Sequence, residues 1–365
     1  MALLRINTNK VISNINQISS FMAQNNKEWS LITKVFSGDL SLLERILTPE
    51  VIKNLHSVGD SRLSSIKNLK KLNPEMITIY IKPPALVYVD EVVNYADISL
   101  NSSYKTIFEL DKAAARQNKV HKIIIMIELG ELREGVKRDE LLKFYENVFN
   151  LNNIEVIGLG SNLGCMYGVE PTYDKLLQLC LYKELIQAKF NRNLPIISGG
   201  SSITLPLVGS NAVPTDMNHF RIGEAAFFGT SPLDNKQFMD LYTDAFIFEA
   251  NIIELYEKEL LPDGVISEAN VGHTAKIEET DFNATTTKAI LDFGLLDVDK
   301  GDIEPFDKNV NFVGITSDMM VVDLGDNIDS NGKKKYSVGG KLKFKPSYMG
   351  VARLLNSNFI DHEYV

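Results

Sequence analysis

The chain is poor in cysteine. Only Cys165 and Cys180 occur among 365 residues, and they do not form a CxxC pair. That excludes a disulfide scaffold and a cysteine-based zinc module. A basic excess is also missing. Lys and Arg number 38 against 47 Asp and Glu, a net charge of -9, which argues against a nucleic-acid partner. No apolar run reaches the about 18 residues a membrane-spanning helix needs. The opening decapeptide, MALLRINTNK, lacks the charged region and long apolar stretch of a signal peptide. These exclusions leave a cytoplasmic globular protein with neither nucleic acid nor membrane as partner. A hydrophobic share of 44% is enough for a sizeable core, and the length fits one large domain plus a modest second one.

What the sequence does have is alternation. Short apolar runs lie at 29–35, 55–59, 76–81, 98–100, 123–128, 154–160, 195–198 and 220–222. Amphipathic helical patterns fall between them, at 61–72, 104–117, 139–149 and 173–190. Eight apolar strands separated by helices predict a parallel sheet covered on its outside. Eight such units close most naturally into a (β/α)8 TIM barrel; the alternative is an open doubly wound sheet. After about residue 235 the texture changes to alternating segments at 246–255, 288–293, 310–314, 319–324 and 341–344, broken by the turn signals Asp263-Gly264 and Asn331-Gly332. The expected organisation is therefore α/β: a barrel over 1–235, then a mostly β domain over 236–365, with the first ten or so residues available to pair with the latter.

In a parallel barrel the reactive groups sit where strands end at their C-terminal side. The first apolar run ends at Thr33-Lys34-Val35. A lysine in apolar surroundings is either a Schiff-base nucleophile, because burial favours its neutral amine, or a strand-end lysine that snorkels to water. The fifth is followed by Gly130-Glu131-Leu132-Arg133-Glu134-Gly135. There Arg133 either points over the barrel mouth or pairs at the surface with Glu131 or Glu134. The seventh leads to Ser198-Gly199-Gly200-Ser201-Ser202, which suits a phosphate or an ordinary serine helix cap. The eighth reads Arg221-Ile222-Gly223-Glu224. An inward arginine there needs a partner, either a ligand or a structural ion pair.

Together these places resemble the fold-type III pyridoxal-phosphate enzymes of the alanine racemase family, in particular its ornithine racemase-like branch. The resemblance implies that Lys34 carries pyridoxal 5'-phosphate as a Schiff base. It implies that Arg133 contacts the cofactor's phenolic oxygen and that Arg221 faces the pyridine nitrogen. Ser201, Ser202, Gly223 and Glu224 stand where the family holds phosphate. Asn162 stands where alanine racemases have a histidine. Tyr348, in Tyr-Met-Gly-Val-Ala-Arg, resembles a tyrosine lining the cofactor pocket, and 312–318 resembles the loop that meets the substrate carboxylate. Two departures are visible. The phosphate tyrosine soon after the lysine is absent, leaving Ser37 or Gly38 to take its place. The region of the family's catalytic tyrosine reads Asp292-Phe293-Gly294-Leu295-Leu296-Asp297, with no tyrosine.

The implied activity is racemisation of an amino acid, with ornithine the leading substrate. Lys34 is the acid and base on one face; Asp318, then Cys165, then His273 are the candidates for the other. A homodimer with shared active sites is the partner the resemblance implies. A decarboxylase on the same plan and a non-catalytic carrier of the cofactor are the alternatives.

Overall fold

The computed structural model describes residues 1–267, 271–275 and 284–365. The described residues form two compact units, Thr8–Thr243 and the combination of Met1–Asn7 with Asp244–Val365.

The first unit is a closed eight-stranded barrel, which excludes the open sheet. After the short strand β1 (Leu3–Ile6), which belongs to the other unit, its staves follow in order: β2 (Glu28–Ile32), β3 (Ser57–Asp60), β4 (Thr78–Tyr80), β5 (Ile98–Asn101), β6 (His121–Met126), β7 (Ile154–Gly160), β8 (Ile196–Ser201) and β9 (His219–Ile222). Each pairs in parallel with the next, and β9 closes on β2. Ile79, Ile98, Leu100, Ile124, Met126 and Ile157 pack into one apolar cluster on these staves. The outer helices turn apolar faces to the sheet at three- and four-residue spacing, as Val11, Ile15, Ile18 and Met22 do on the helix Thr8–Gln24. The helix Tyr173–Phe190 coincides with the expected span. Ser103 caps the helix Tyr104–Arg116, accepting from the Thr106 amide at 3.4 Å.

The barrel interior is not wholly apolar. Ser30, Ser57, Ser99, His121, Ser198 and His219 are buried on the staves, and each side-chain oxygen or imidazole meets another. This pairing is what makes polar burial tolerable.

The second unit is built on the long strand β10 (Phe246–Glu259). Antiparallel to it lie β1, Thr285–Leu291 and Lys341–Pro346, and β1 also pairs in parallel with Asp361–Tyr364. Phe248, Phe293 and Phe344 fill its core, with ring centroids 4.9 to 6.0 Å apart.

Candidate active site

Strand β2 ends at Ile32, so Lys34 is not embedded in a strand as expected. It opens a short 3-10 turn, Lys34–Phe36, whose Val35 and Phe36 are buried while Lys34 is exposed. The apolar run had extended past the strand end to Val35, which with Phe36 anchors the turn rather than extending the strand. The turn therefore presents the Lys34 amine at the C-terminal mouth. Ser37 ends it in the left-handed conformation, at φ 52°, and Asn68 donates to the Gly38 carbonyl at 2.8 Å. The Asn68 bond thus ties the lysine turn to the helix Leu63–Leu72.

Lys34 lines a 480 Å³ cavity with Ser61, Ile81, Lys82, Pro83, Arg133 and Glu134. A larger hollow of 1230 Å³ opens at the other end of the barrel, among residues such as Glu28, His56 and His121. Of the expected site residues Lys34 and Arg133 line the smaller one, and position rather than volume marks the site.

Arg133 is held by a loop. Gly135 sits at φ 151°, and a Cβ there would come within 2.4 Å of the Glu128 amide; only glycine allows the loop to fold back so closely. The Glu128 carboxylate accepts from the amides of Gly130 and Arg133. The Arg133 guanidinium then pairs with Glu134, the surface pairing considered above. It also donates to Cys165 Sγ at 2.8 Å. With its amide oxygen turned to the guanidinium, Asn162 accepts at 2.7 and 3.1 Å. Arg133, Asn162 and Cys165 are therefore brought together.

Glu131, first considered only as a partner for Arg133, does something else. Its carboxylate is 2% exposed and accepts from the amides of Cys165, Met166, Tyr167 and Val169 at 2.8 to 3.2 Å. Burial resists its ionisation, but the four amides outweigh burial and hold its pKa down at about 2. Glu131 thereby locks the loop after β7 to the loop after β6. Nothing in the sequence distinguished it from its acidic neighbours.

The opposite side of the mouth is built by strands. Arg221 is buried on β9. Its Nη1 donates to the Ser198 carbonyl and hydroxyl at 2.6 and 2.5 Å, and its Nη2 donates to the Ser161 carbonyl at 2.7 Å. These partners are neutral oxygens, and among the described residues no ion pair holds it. Burial lowers its pKa to about 10, which leaves it charged at neutral pH. Gly223 follows, and a Cβ there would lie 2.8 Å from the Ile32 carbonyl, so a side chain at this position would collide with the end of β2. Ser202 accepts from the amides of Gly223 and Ala225 at 3.4 and 3.1 Å. It thus joins the end of β8 to the start of the helix Glu224–Phe228. Ser201 is half-buried at the end of β8, and Glu224 is half-buried beside it in the chain segment after β9. Burial raises the Glu224 pKa, opposed by the charge of Lys34.

Asp60, at the end of β3, was not foreseen. It is fully buried and accepts from the Arg62 amide at 2.9 Å and from the Thr33 hydroxyl at 3.4 Å. Burial raises its pKa to about 6.

The remaining candidates lie in the strand-rich unit. Asp318 is exposed on the turn between Asn311–Ile315 and Met320–Asp323, where it accepts from the Ser317 hydroxyl at 3.1 Å. The segment 292–297 packs against that turn: the Leu295 and Leu296 amides donate to the carbonyls of Thr316 and Ser317 at 2.9 and 3.0 Å. Tyr348 begins the helix Tyr348–Leu354, capped by Ser347. His273 is exposed and faces Asp299 at 3.5 Å.

The barrel mouth fits pyridoxal 5'-phosphate. It offers an exposed amine in a cavity and a buried cation whose five N–H donors are not all used by Ser198 and Ser161. The buried Ser161 hydroxyl has no hydrogen-bond partner among the described residues, an atom that a polar ligand can satisfy.

Residues 6–232 match the family model described as alanine racemase, N-terminal domain. The chain is 32% identical over 361 residues to the ornithine racemase of Acetoanaerobium sticklandii, covering 99% of this chain and 98% of that protein. It is 27% identical to the lysine racemase of Thermotoga maritima, with the same coverage of both. Among solved structures it resembles alanine racemase from Bartonella henselae with covalently bound pyridoxal phosphate, at a TM-score of 0.71 and 16% identity, covering 100% of this chain and 99% of that one.

Proposed function

The chain belongs to the alanine racemase family, and from that premise we propose that it racemises an amino acid with pyridoxal 5'-phosphate, ornithine being the leading substrate. The observation that carries this reading is the meeting of Lys34 with a cationic cavity at the mouth of a closed barrel, backed by the buried Arg221. Similarity to an ornithine racemase along the whole chain supports the choice of substrate.

When bound, such a cofactor delocalises the electron pair left behind as the α-proton departs. The chain's residues do the rest. Lys34 holds the cofactor and takes or returns a proton at Nζ. Arg221 stays charged and donates toward the ring nitrogen, which disfavours a proton there. Ser201 and the backbone at Ser202, Gly223 and Glu224 hold the phosphate. Arg133 meets the phenolic oxygen, supported by Asn162. The second proton carrier is drawn from Asp318 and Cys165; single substitution to alanine separates them, because loss of the carrier removes exchange from one enantiomer before the other. Two copies pair to complete each site, and the protein works in the cytoplasm; sedimentation and cell fractionation check these two points.

The test incubates the cofactor-loaded protein with L- and D-ornithine, lysine and alanine in deuterated water. Exchange of the α-hydrogen and appearance of both enantiomers of ornithine, with no carbon dioxide released, is the expected result. Release of carbon dioxide, or no exchange with any of the amino acids, contradicts it.

A further inference from the structure

Behind Arg221 a line of polar side chains runs through the barrel toward its N-terminal end. His219 precedes Arg221 by two residues on β9, so both project to the same side of the strand. Ser198 Oγ lies 2.8 Å from His219 Nδ1, His219 Nε2 lies 2.9 Å from Ser30 Oγ, Ser30 lies 2.7 Å from Ser57, and Ser57 lies 3.2 Å from His56 Nδ1. Ser198, His219, Ser30 and Ser57 are all buried, and His56 borders the hollow at the far end.

The direction of the protons follows from the first member. A guanidinium only donates. The Ser198 oxygen therefore accepts from Arg221 Nη1 at 2.5 Å, and its own proton is left for His219 Nδ1. Nδ1 is then bare, and Nε2 carries the hydrogen and donates to Ser30. Ser30 then donates its hydrogen bond to Ser57, and Ser57 to His56 Nδ1. An imidazolium at 219 would aim a second donor at an oxygen already facing a cation. Burial first, then the charges of His56 and Arg221, push the His219 pKa well below the usual value.

We propose that His219 is a positioning residue: as a neutral imidazole with its hydrogen on Nε2, it accepts the Ser198 O–H hydrogen bond at Nδ1 and so turns the Ser198 lone pair onto Arg221. The guanidinium is thereby held at the strand ends by a contact that the barrel interior fixes in advance. The proposal rests on the reading above only for what Arg221 meets at the mouth. The tautomer of His219 and its bond to Ser198 are properties of the protein alone.

Two measurements test it on the full-length, cofactor-loaded protein. In nitrogen NMR of 15N-histidine-labelled protein, His219 is expected to show one bare and one protonated nitrogen, with the hydrogen on Nε2, across pH of about 5 to 8. A charged ring, or a hydrogen on Nδ1, overturns the proposal. In parallel, pyridoxal phosphate affinity and the pH dependence of the visible band are compared for His219→Phe and His219→Asn. The phenylalanine removes the acceptor and is expected to weaken binding about tenfold and shift the pH profile, as loss of a bond to a charged network does. Asparagine keeps an acceptor oxygen near the old Nδ1 and is expected to stay within about threefold of the parent. Equal losses in both variants, or none in either, overturn the proposal. If the parent protein takes up no pyridoxal phosphate, the function proposed above fails, and the NMR result on the unloaded protein alone decides the role of His219.

Discussion

The two sides of the barrel mouth are made differently. On one side Arg221 stands on a strand, buried, bonded to neutral oxygens of β8 and of the residue after β7. On the other, Arg133 stands on a loop, half-exposed, paired with Glu134 and touching Cys165 and Asn162. The first cation has its place before any ligand arrives. The second has partners to exchange, and its place depends on a loop that one carboxylate, Glu131, fastens to the next. A site of this kind has a rigid wall and an adaptable wall.

That contrast can be broken by substitution, beginning at the rigid wall. Arg221→Gln removes a charge that strands hold in place, and turnover is expected to fall roughly 100-fold or more, with the protein still folded by circular dichroism. A loss as small as that of a loop variant would remove the distinction. Glu131→Gln strips the fastening of the adaptable wall and is expected to cost about 2 kcal/mol of stability after allowance for screening by water. The sign follows from its depressed pKa. The stabilisation is complete above the ordinary value of 4.5 and is lost as pH falls toward about 2. Urea unfolding of parent and variant at several pH values checks both size and direction. Arg133→Ala is expected to lower turnover about tenfold and raise the cofactor's dissociation constant less; steady-state kinetics and fluorescence titration read the two separately.

The smallest effect is expected at Asp60, which lies in neither wall. Its pKa is raised from 3.8 to about 6. Below about pH 3 it is protonated whether folded or not and costs nothing. Between these values the unfolded chain loses its proton first, so stability falls as pH rises, and the cost is full above about 6. Asp60→Asn, which keeps an acceptor for the Arg62 amide, is expected to raise stability by about 1 kcal/mol at neutral pH and to change nothing at about pH 3. Melting temperatures at the two pH values decide it.

The sequence exposed the rigid wall more readily than the adaptable one, for a physical reason. Alternation along apolar strands is a short-range signal, and it located all eight staves and the residues at their ends, Arg221 and Gly223 among them. The end of the first strand was placed three residues late, because Val35 is buried for packing and extends the apolar run past the end of β2. Glu131 was missed because its four partners lie more than thirty residues away, and a loop carries no periodicity to reveal such contacts. His219 and Asp60 did leave a trace, as polar residues bordering apolar runs. That trace shows that a partner is needed without saying which one. In the strand-rich unit the motifs around Asp318 and Tyr348 were visible, and the packing of 292–297 against the Asp318 turn was not.

The central claim is a covalent bond between the Lys34 amine and pyridoxal 5'-phosphate. The most direct measurement loads the full-length protein with the cofactor, reduces it with borohydride, digests it and locates the added mass. The account predicts the pyridoxyl mass on the peptide containing Lys34 and its absence from Lys34→Ala treated in the same way. Label on another lysine, or equal labelling of parent and variant, contradicts it.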